Sequence, residues 1–133
     1  MRGLSTKIIK GLVPGAVITC ADNSGAKTLG MINRLGEKCG RIGRYPKAGI
    51  GDIIIASVKS GTPAYRKKKV RVVIIRQRQS MRRPNGIRVR FEDNAGILVT
   101  DSNLAVGTEV KGAMAREVVE RYIKLAGIAE RVV

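Results

Sequence analysis

The sequence predicts a mainly β protein, a small antiparallel barrel with a C-terminal helical appendage, on three observations. Five or six short β-rich runs follow one another between residues 16 and 100, Gly, Pro, Asn and Asp clusters separate them, and helical spacing of apolar residues begins only after Asp101. An open sheet of short strands would leave unpaired edges, and closing it into a barrel removes them.

The elements follow in order. Ala16-Val-Ile-Thr-Cys20 reads as a strand and Asp22-Asn-Ser-Gly25 as the turn after it. A second strand is expected from Lys27 to Arg34. Gly36 to Gly51 is Gly-rich and basic without a period and reads as a long loop. A third strand is expected over Asp52 to Ser60, closed by Gly61-Thr-Pro63. Val70 to Arg78 contains Val72-Val-Ile-Ile75, apolar enough for a central strand covered on both faces. Pro84-Asn-Gly86 signals a tight turn, and Ile87-Arg-Val-Arg-Phe91 alternates apolar and basic, placing one face on the core. Gly96 to Thr100 forms the last short strand. From Ala113 the residues Ala115, Val118, Val119, Tyr122 and Ala126 share helical spacing, and Gly127 fits the position after the helix. Glu117 with Arg121 and Glu120 with Lys124 are i,i+4 pairs in the favourable order on the other face.

A chain of 133 residues suits one domain, divided here into an N-terminal extension (1–12), a barrel with basic loops (13–100) and a C-terminal helical segment (101–133). Its 26 Lys and Arg against 10 Asp and Glu give a formal charge of +16 and a pI near 10.8. Solubility asks for a net charge of only about 2 to 8 on a small domain, so the excess implies an anionic partner. The excess is not spread evenly. Residues 27–90 hold eighteen bases and two acids, whereas residues 91–133 hold five bases and seven acids. Two surfaces with different partners are expected.

Several chemistries are disfavoured. The two cysteines, Cys20 and Cys39, stand without any histidine, short of the four ligands of a structural zinc site, and are expected to be reduced thiols. Gly25-Ala-Lys-Thr28 resembles the end of a phosphate-binding loop but has Ala26 and Ala21 where glycines are needed. Gly49-Ile-Gly51 lacks the third glycine of a dinucleotide fingerprint. Without histidine, hydrolysis would fall to carboxylates with a metal, and the one adjacent acidic pair, Glu92 and Asp93, lies among arginines. A metal-dependent nuclease is therefore the enzymatic alternative, and a peripheral membrane protein the other. The latter lacks a basic amphipathic helix. Met1 to Val13 has no apolar run of signal-peptide length, and no stretch approaches about 20 apolar residues, so a cytosolic location is expected.

Three basic clusters remain: Arg41, Arg44 and Lys47 in the Gly-rich loop; Arg66, Lys67, Lys68 and Lys69 with Arg71; and Arg76, Arg78, Arg82, Arg83, Arg88 and Arg90 around the Pro84 turn. A solvated edge could account for one such cluster but hardly three. The arginine fork suits phosphate oxygens, and four aromatic residues are too few for stacking platforms, so recognition of RNA phosphate and shape is expected. The slightly acidic C-terminal segment should instead meet protein through Glu117, Glu120, Arg121 and Lys124, with Val118, Val119 and Tyr122 docking the helix.

The residues resemble the universal large-subunit ribosomal protein family numbered fourteen, in its archaeal and eukaryotic branch. The likeness runs through Ala21-Asp-Asn-Ser-Gly-Ala26, Ala48-Gly-Ile-Gly-Asp52, Val72-Val-Ile-Ile-Arg76, Arg82-Arg-Pro-Asn-Gly86, Phe91 with Asn94-Ala95, Gly107-Thr108 and Ala115-Arg-Glu117. It spans roughly residues 15 to 125, and Met1 to Leu12 is similar to that branch too. Asn85 stands where the family usually has Asp, and Ala113 follows Gly112 where Pro is common. The resemblance implies a five-stranded antiparallel barrel with small C-terminal helices and no catalytic activity, cofactor or metal. It implies a structural constituent of the cytoplasmic large ribosomal subunit, bound to ribosomal RNA at the intersubunit face. Its implied partners are large-subunit ribosomal RNA, neighbouring ribosomal proteins, small-subunit RNA across the interface, and initiation factor six.

Overall fold

A computed structural model describes residues 8–36 and 45–133. Arg41, Arg44 and Cys39 lie outside the described residues. Five strands form a closed barrel: β1 (Val17–Cys20), β2 (Ala26–Arg34), β3 (Ile53–Gly61), β4 (Lys69–Arg76) and, beyond a hairpin, β7 (Ala95–Val99). Consecutive seams are antiparallel, but the seam that closes the barrel, β1 against β7, is parallel, with Thr19 opposite Ala95 and Cys20 opposite Gly96.

Val72–Ile75 of β4 are fully buried, as a strand covered on both faces requires. The barrel interior, with Ile18, Leu29, Ile54 and Ile97, covers one face. The C-terminal segment supplies the second layer, where Met114, Ala115, Val118 and Leu125 are buried in the same core and Ala115 N–H donates to Ile75 O at 3.2 Å. Each large aliphatic side chain so enclosed contributes about 1.5 to 3 kcal/mol.

Two expectations are corrected. Ile87 to Phe91 is no barrel strand: only β6 (Arg88–Val89) pairs with β5 (Met81–Arg82), in a separate two-stranded hairpin, and Ile87 is exposed. Asn85 makes that turn, its Oδ1 accepting from Ile87 N–H at 3.1 Å beside Gly86 at φ +84. The helix expected from Ala113 is a six-residue α1 (Arg116–Arg121) followed by a 3-10 segment (Ile123–Ile128). Tyr122 breaks it at φ −127, ψ 78, and the phenol donates to Gly51 O at 3.2 Å. Two strands that periodicity did not reveal flank it, β8 (Val110–Met114) and β9 (Ala129–Val132), paired in parallel.

Asp22 sits where these parts meet. Its buried carboxylate accepts from Leu98 N–H at 2.7 Å on one oxygen, and from Ser24 N–H at 3.1 Å, the Ser24 hydroxyl and the Cys20 thiol at 3.1 Å on the other. Beside it, Lys111 N–H donates to Ala21 O at 2.7 Å, and Asn23 bonds both the hydroxyl and the N–H of Thr108. Gly107 is required there, because a Cβ would lie 2.7 Å from Asn23 Oδ1. The turn read from the sequence is thus a junction joining β1 and β7 to the C-terminal segment.

Burial, and secondarily the Asp22 carboxylate, push the Cys20 thiol up to about 12 from its ordinary 9.0. The thiol should resist alkylation at pH 8 in the folded protein and react on unfolding. Because the folded chain holds this proton more tightly than the unfolded one, stability should fall as pH climbs from about 9 toward 12. Cys20→Ala should flatten that slope in urea melts; an unchanged slope would assign the alkaline loss to other groups.

Candidate nucleic-acid interface

The third basic cluster divides into arginines that hold the fold and arginines that face outward. Arg76 was expected at the RNA surface, yet its side chain is 12% exposed. It donates through Nε and Nη2 to both Asp93 oxygens, at 2.8 and 3.1 Å, and through Nη1 to Lys111 O and Ala113 O, at 3.1 and 2.7 Å. It therefore anchors β8 to β4 across Gly112, whose φ of +80 lets both carbonyls turn toward the guanidinium.

Arg83 is withdrawn in the same way. Its Nε donates to Glu117 Oε1 at 2.8 Å, and Nη2 donates to Glu117 Oε2 at 3.3 Å and to Val133 O at 2.6 Å. The two side chains are 13% and 7% exposed, so Glu117, expected to point outward toward a partner, is buried as the hairpin's counter-ion. The i,i+4 pairing expected of it with Arg121 gives way to this stronger bidentate pairing.

The remaining cations are displayed. Arg82, Arg88 and Arg90 are exposed, and Arg82 lies directly opposite Arg88 across the hairpin. Like charges facing each other across a pair of strands are destabilising unless an anion lies between or over them. Arg78 is exposed with Nε donating to Glu92 O at 2.7 Å, and with Arg90, Phe91 and Glu92 it lines a cleft of about 590 Å³. Arg66, Lys67, Lys68 and Lys69 are all exposed on the β3–β4 turn, while Arg71 is bound to Asp101 at 3.0 Å. Lys47 is exposed at the end of the Gly-rich loop, where its carbonyl accepts from Arg34. The structure also adds two cations the sequence did not single out, Lys27 and Lys111. Far apart in the chain, they line one cleft with Asn23 and Thr62, a meeting that sequence spacing gives no sign of.

At the C-terminal face, Lys124 is exposed, Glu120 is half-buried, and Arg121 lies over the Tyr122 ring at 5.6 Å and 3.7 Å from Asp52. Burial raises the Tyr122 phenol above its ordinary value. Ile123, Val132 and Val133 are exposed apolar residues of this segment. Among the described residues, no three His, Cys, Asp or Glu side chains are grouped to hold a metal, and no helix is long and apolar enough to cross a membrane.

This division predicts opposite phenotypes for similar substitutions. Arg83→Ala strands the buried Glu117 carboxylate and should cost about 3 to 5 kcal/mol in chemical denaturation. Arg88→Ala removes an exposed charge and should change stability by less than about 0.5 kcal/mol. Equal stability of the two variants would contradict the assignment.

A family model described as ribosomal protein L14p/L23e matches residues 11–133. The chain is 50% identical to the large ribosomal subunit protein uL14 of Methanocella arvoryzae, 48% to that of Methanoregula boonei and 47% to that of Halorubrum lacusprofundi. Each comparison covers 133 residues, the whole of both chains. A family pattern that takes in the barrel, the arginine hairpin and the C-terminal strands, together with full-length identity near one half, establishes that the chain belongs to the ribosomal protein L14p/L23e family.

Proposed function

We propose that the chain is a structural, non-catalytic constituent of the large ribosomal subunit in the cytoplasm that binds ribosomal RNA through its exposed basic residues. The family and the relatives' name support the assembly. The observation that carries the RNA contact is the hairpin, in which Arg82 and Arg88 stand face to face while Arg83 is held beneath them by Glu117. Two exposed guanidiniums pinned opposite each other repel, and phosphate oxygens relieve that repulsion by accepting from both forks. The Arg66–Lys69 turn extends the contact, as do Arg78, Arg90 and Lys47; Arg41 and Arg44 belong to the same reading by their place in the sequence.

The surface so bound is assigned to the intersubunit face, with small-subunit RNA across it. The C-terminal segment is assigned to protein, that is, to neighbouring ribosomal proteins and initiation factor six. The charge count of the sequence motivates the division, since residues 91–133 carry two more acids than bases, although Glu117 is buried against Arg83 and the exposed side chains left on this face include the cations Arg121 and Lys124. Of the four residues expected to form that surface, Lys124 and Arg121 are its exposed members, with Glu120 at its margin.

Binding of the isolated protein to folded ribosomal RNA should fall steeply with salt. Engagement of about six to ten phosphates gives a log–log slope of about −4 to −9, and a slope near −1 would refute the scaffold reading. Tagged protein should remain with large subunits sedimented in high salt. On the protein side, Lys124→Glu should leave RNA affinity unchanged and weaken retention of initiation factor six by about 1 to 3 kcal/mol if the lysine is inside the contact. A fall in RNA affinity with full retention of the factor would reassign this face to RNA.

A further inference from the structure

A groove of about 470 Å³ opens beside the basic β3–β4 turn. Its floor is aliphatic, built from Ile55 of β3, Val70 of β4 and Leu98 and Val99 of β7, and its walls carry Tyr65 on one strand connection and Val106 on another. Both walls are fixed by backbone hydrogen bonds. In the first, Tyr65 N–H donates to Thr62 O at 3.1 Å and Lys67 N–H to Val58 O at 3.0 Å; in the second, Thr100 N–H donates to Leu104 O at 2.8 Å and Val106 N–H to Leu98 O at 3.0 Å. The groove therefore exists before anything enters it, as binding pockets usually do.

Its charged edge lies on the β3–β4 side. Lys69 and Arg71 line it, Arg66, Lys67 and Lys68 connect Lys69 to Tyr65 and are exposed, and among the described residues the one carboxylate lining the groove, Asp101, is held by Arg71 at 3.0 Å. An apolar floor beside a run of cations matches the two halves of a single nucleotide, whose base presents an uncharged face and whose flanking phosphates are anionic. A protein segment would have to bring a bulky apolar side chain flanked by successive carboxylates to satisfy the same rim. One tyrosine ring suits one base, in keeping with a sequence too poor in aromatic residues for a row of stacked bases.

We propose that this groove receives one unpaired nucleotide of the bound RNA, its base on the aliphatic floor beside Tyr65 and its phosphates on the Arg66–Lys69 run. The proposal rests on the RNA-binding reading above and deepens it: a surface read as touching only phosphate and shape also takes up one extruded base. Contact with a looped-out base selects RNA that can present one, so the groove adds a preference the phosphate contacts alone lack.

The test is photo-crosslinking in assembled large subunits carrying the full chain with Val106→p-benzoylphenylalanine, at an exposed loop position. The expected result is one dominant RNA crosslink, mapped by reverse transcription to an unpaired nucleotide. Crosslinking to a protein neighbour, crosslinks spread along paired RNA, or none in subunits that contain the chain would overturn the proposal. Absence of the chain from large subunits would overturn the RNA-binding reading itself, and the groove with it. A second variant, Val106→Glu, places a carboxylate in the groove. It should raise the 2′-hydroxyl acylation of the crosslinked nucleotide severalfold; unchanged acylation would also overturn the proposal.

Discussion

Closing a five-stranded sheet requires its first and last strands to meet, and in this chain they meet in parallel, over a pairing only two residues long. Such a seam has few ladder hydrogen bonds and would fray at its end. Asp22 prolongs it. Once β1 stops at Cys20, Ala21 N–H still reaches Gly96 O at 3.0 Å, and the buried Asp22 carboxylate takes over as acceptor for Leu98 N–H. A charged acceptor makes a stronger bond than a carbonyl, and burial is tolerated because each oxygen is satisfied by N–H, O–H or S–H donors. The C-terminal segment is tied to the same turn through Lys111 and Thr108, so barrel closure and the docking of the second layer share one corner.

Five further carboxylates are used in the same way. Asp52 lies between Arg34 and Arg121 and caps Gly49 N–H, Asp93 holds Arg76, Asp101 holds Arg71, Glu117 holds Arg83, and Glu130 accepts from Gly112 N–H. In a chain with 26 cations and 10 acids, committing these acids to internal ties leaves the surface arginines and lysines of the hairpin and the β3–β4 turn facing outward. The positive field is therefore concentrated where the fold does not neutralise it, the arrangement that draws a polyanion to one side.

The hairpin illustrates how buried and exposed arginines depend on each other. Arg83 and the buried Met81 fix its base, while Arg82 and Arg88, one residue away or directly opposite, project from it. A two-stranded hairpin of this length is not stable alone, so its display of guanidiniums is conditional on the ion pair with α1. The C-terminal segment thus does two things, covering β4 on one side and holding the hairpin on the other.

What the sequence by itself determined was local. Runs such as Val72–Ile75 specified strands, Asn85-Gly86 specified a tight turn, and the density of basic residues between 27 and 90 specified a strongly positive middle segment, because each signal is carried by neighbours in the chain. Which arginines are tied inside the fold and which stay exposed was not legible. Arg76 and Arg83 look no different from Arg82 and Arg88 in the sequence; only the fold sets Asp93 and Glu117 beside them, 17 and 34 residues further on. The C-terminal region shows the same limit. Helical spacing extends from Ala115 to Ala126, yet the helix stops at Arg121, because Tyr122 reaches Gly51 and because Ala129–Val132 gains a parallel ladder with β8. Both are partners distant in sequence, and pairing between distant segments is a tertiary decision, since propensity measures only what a segment prefers when nothing else touches it.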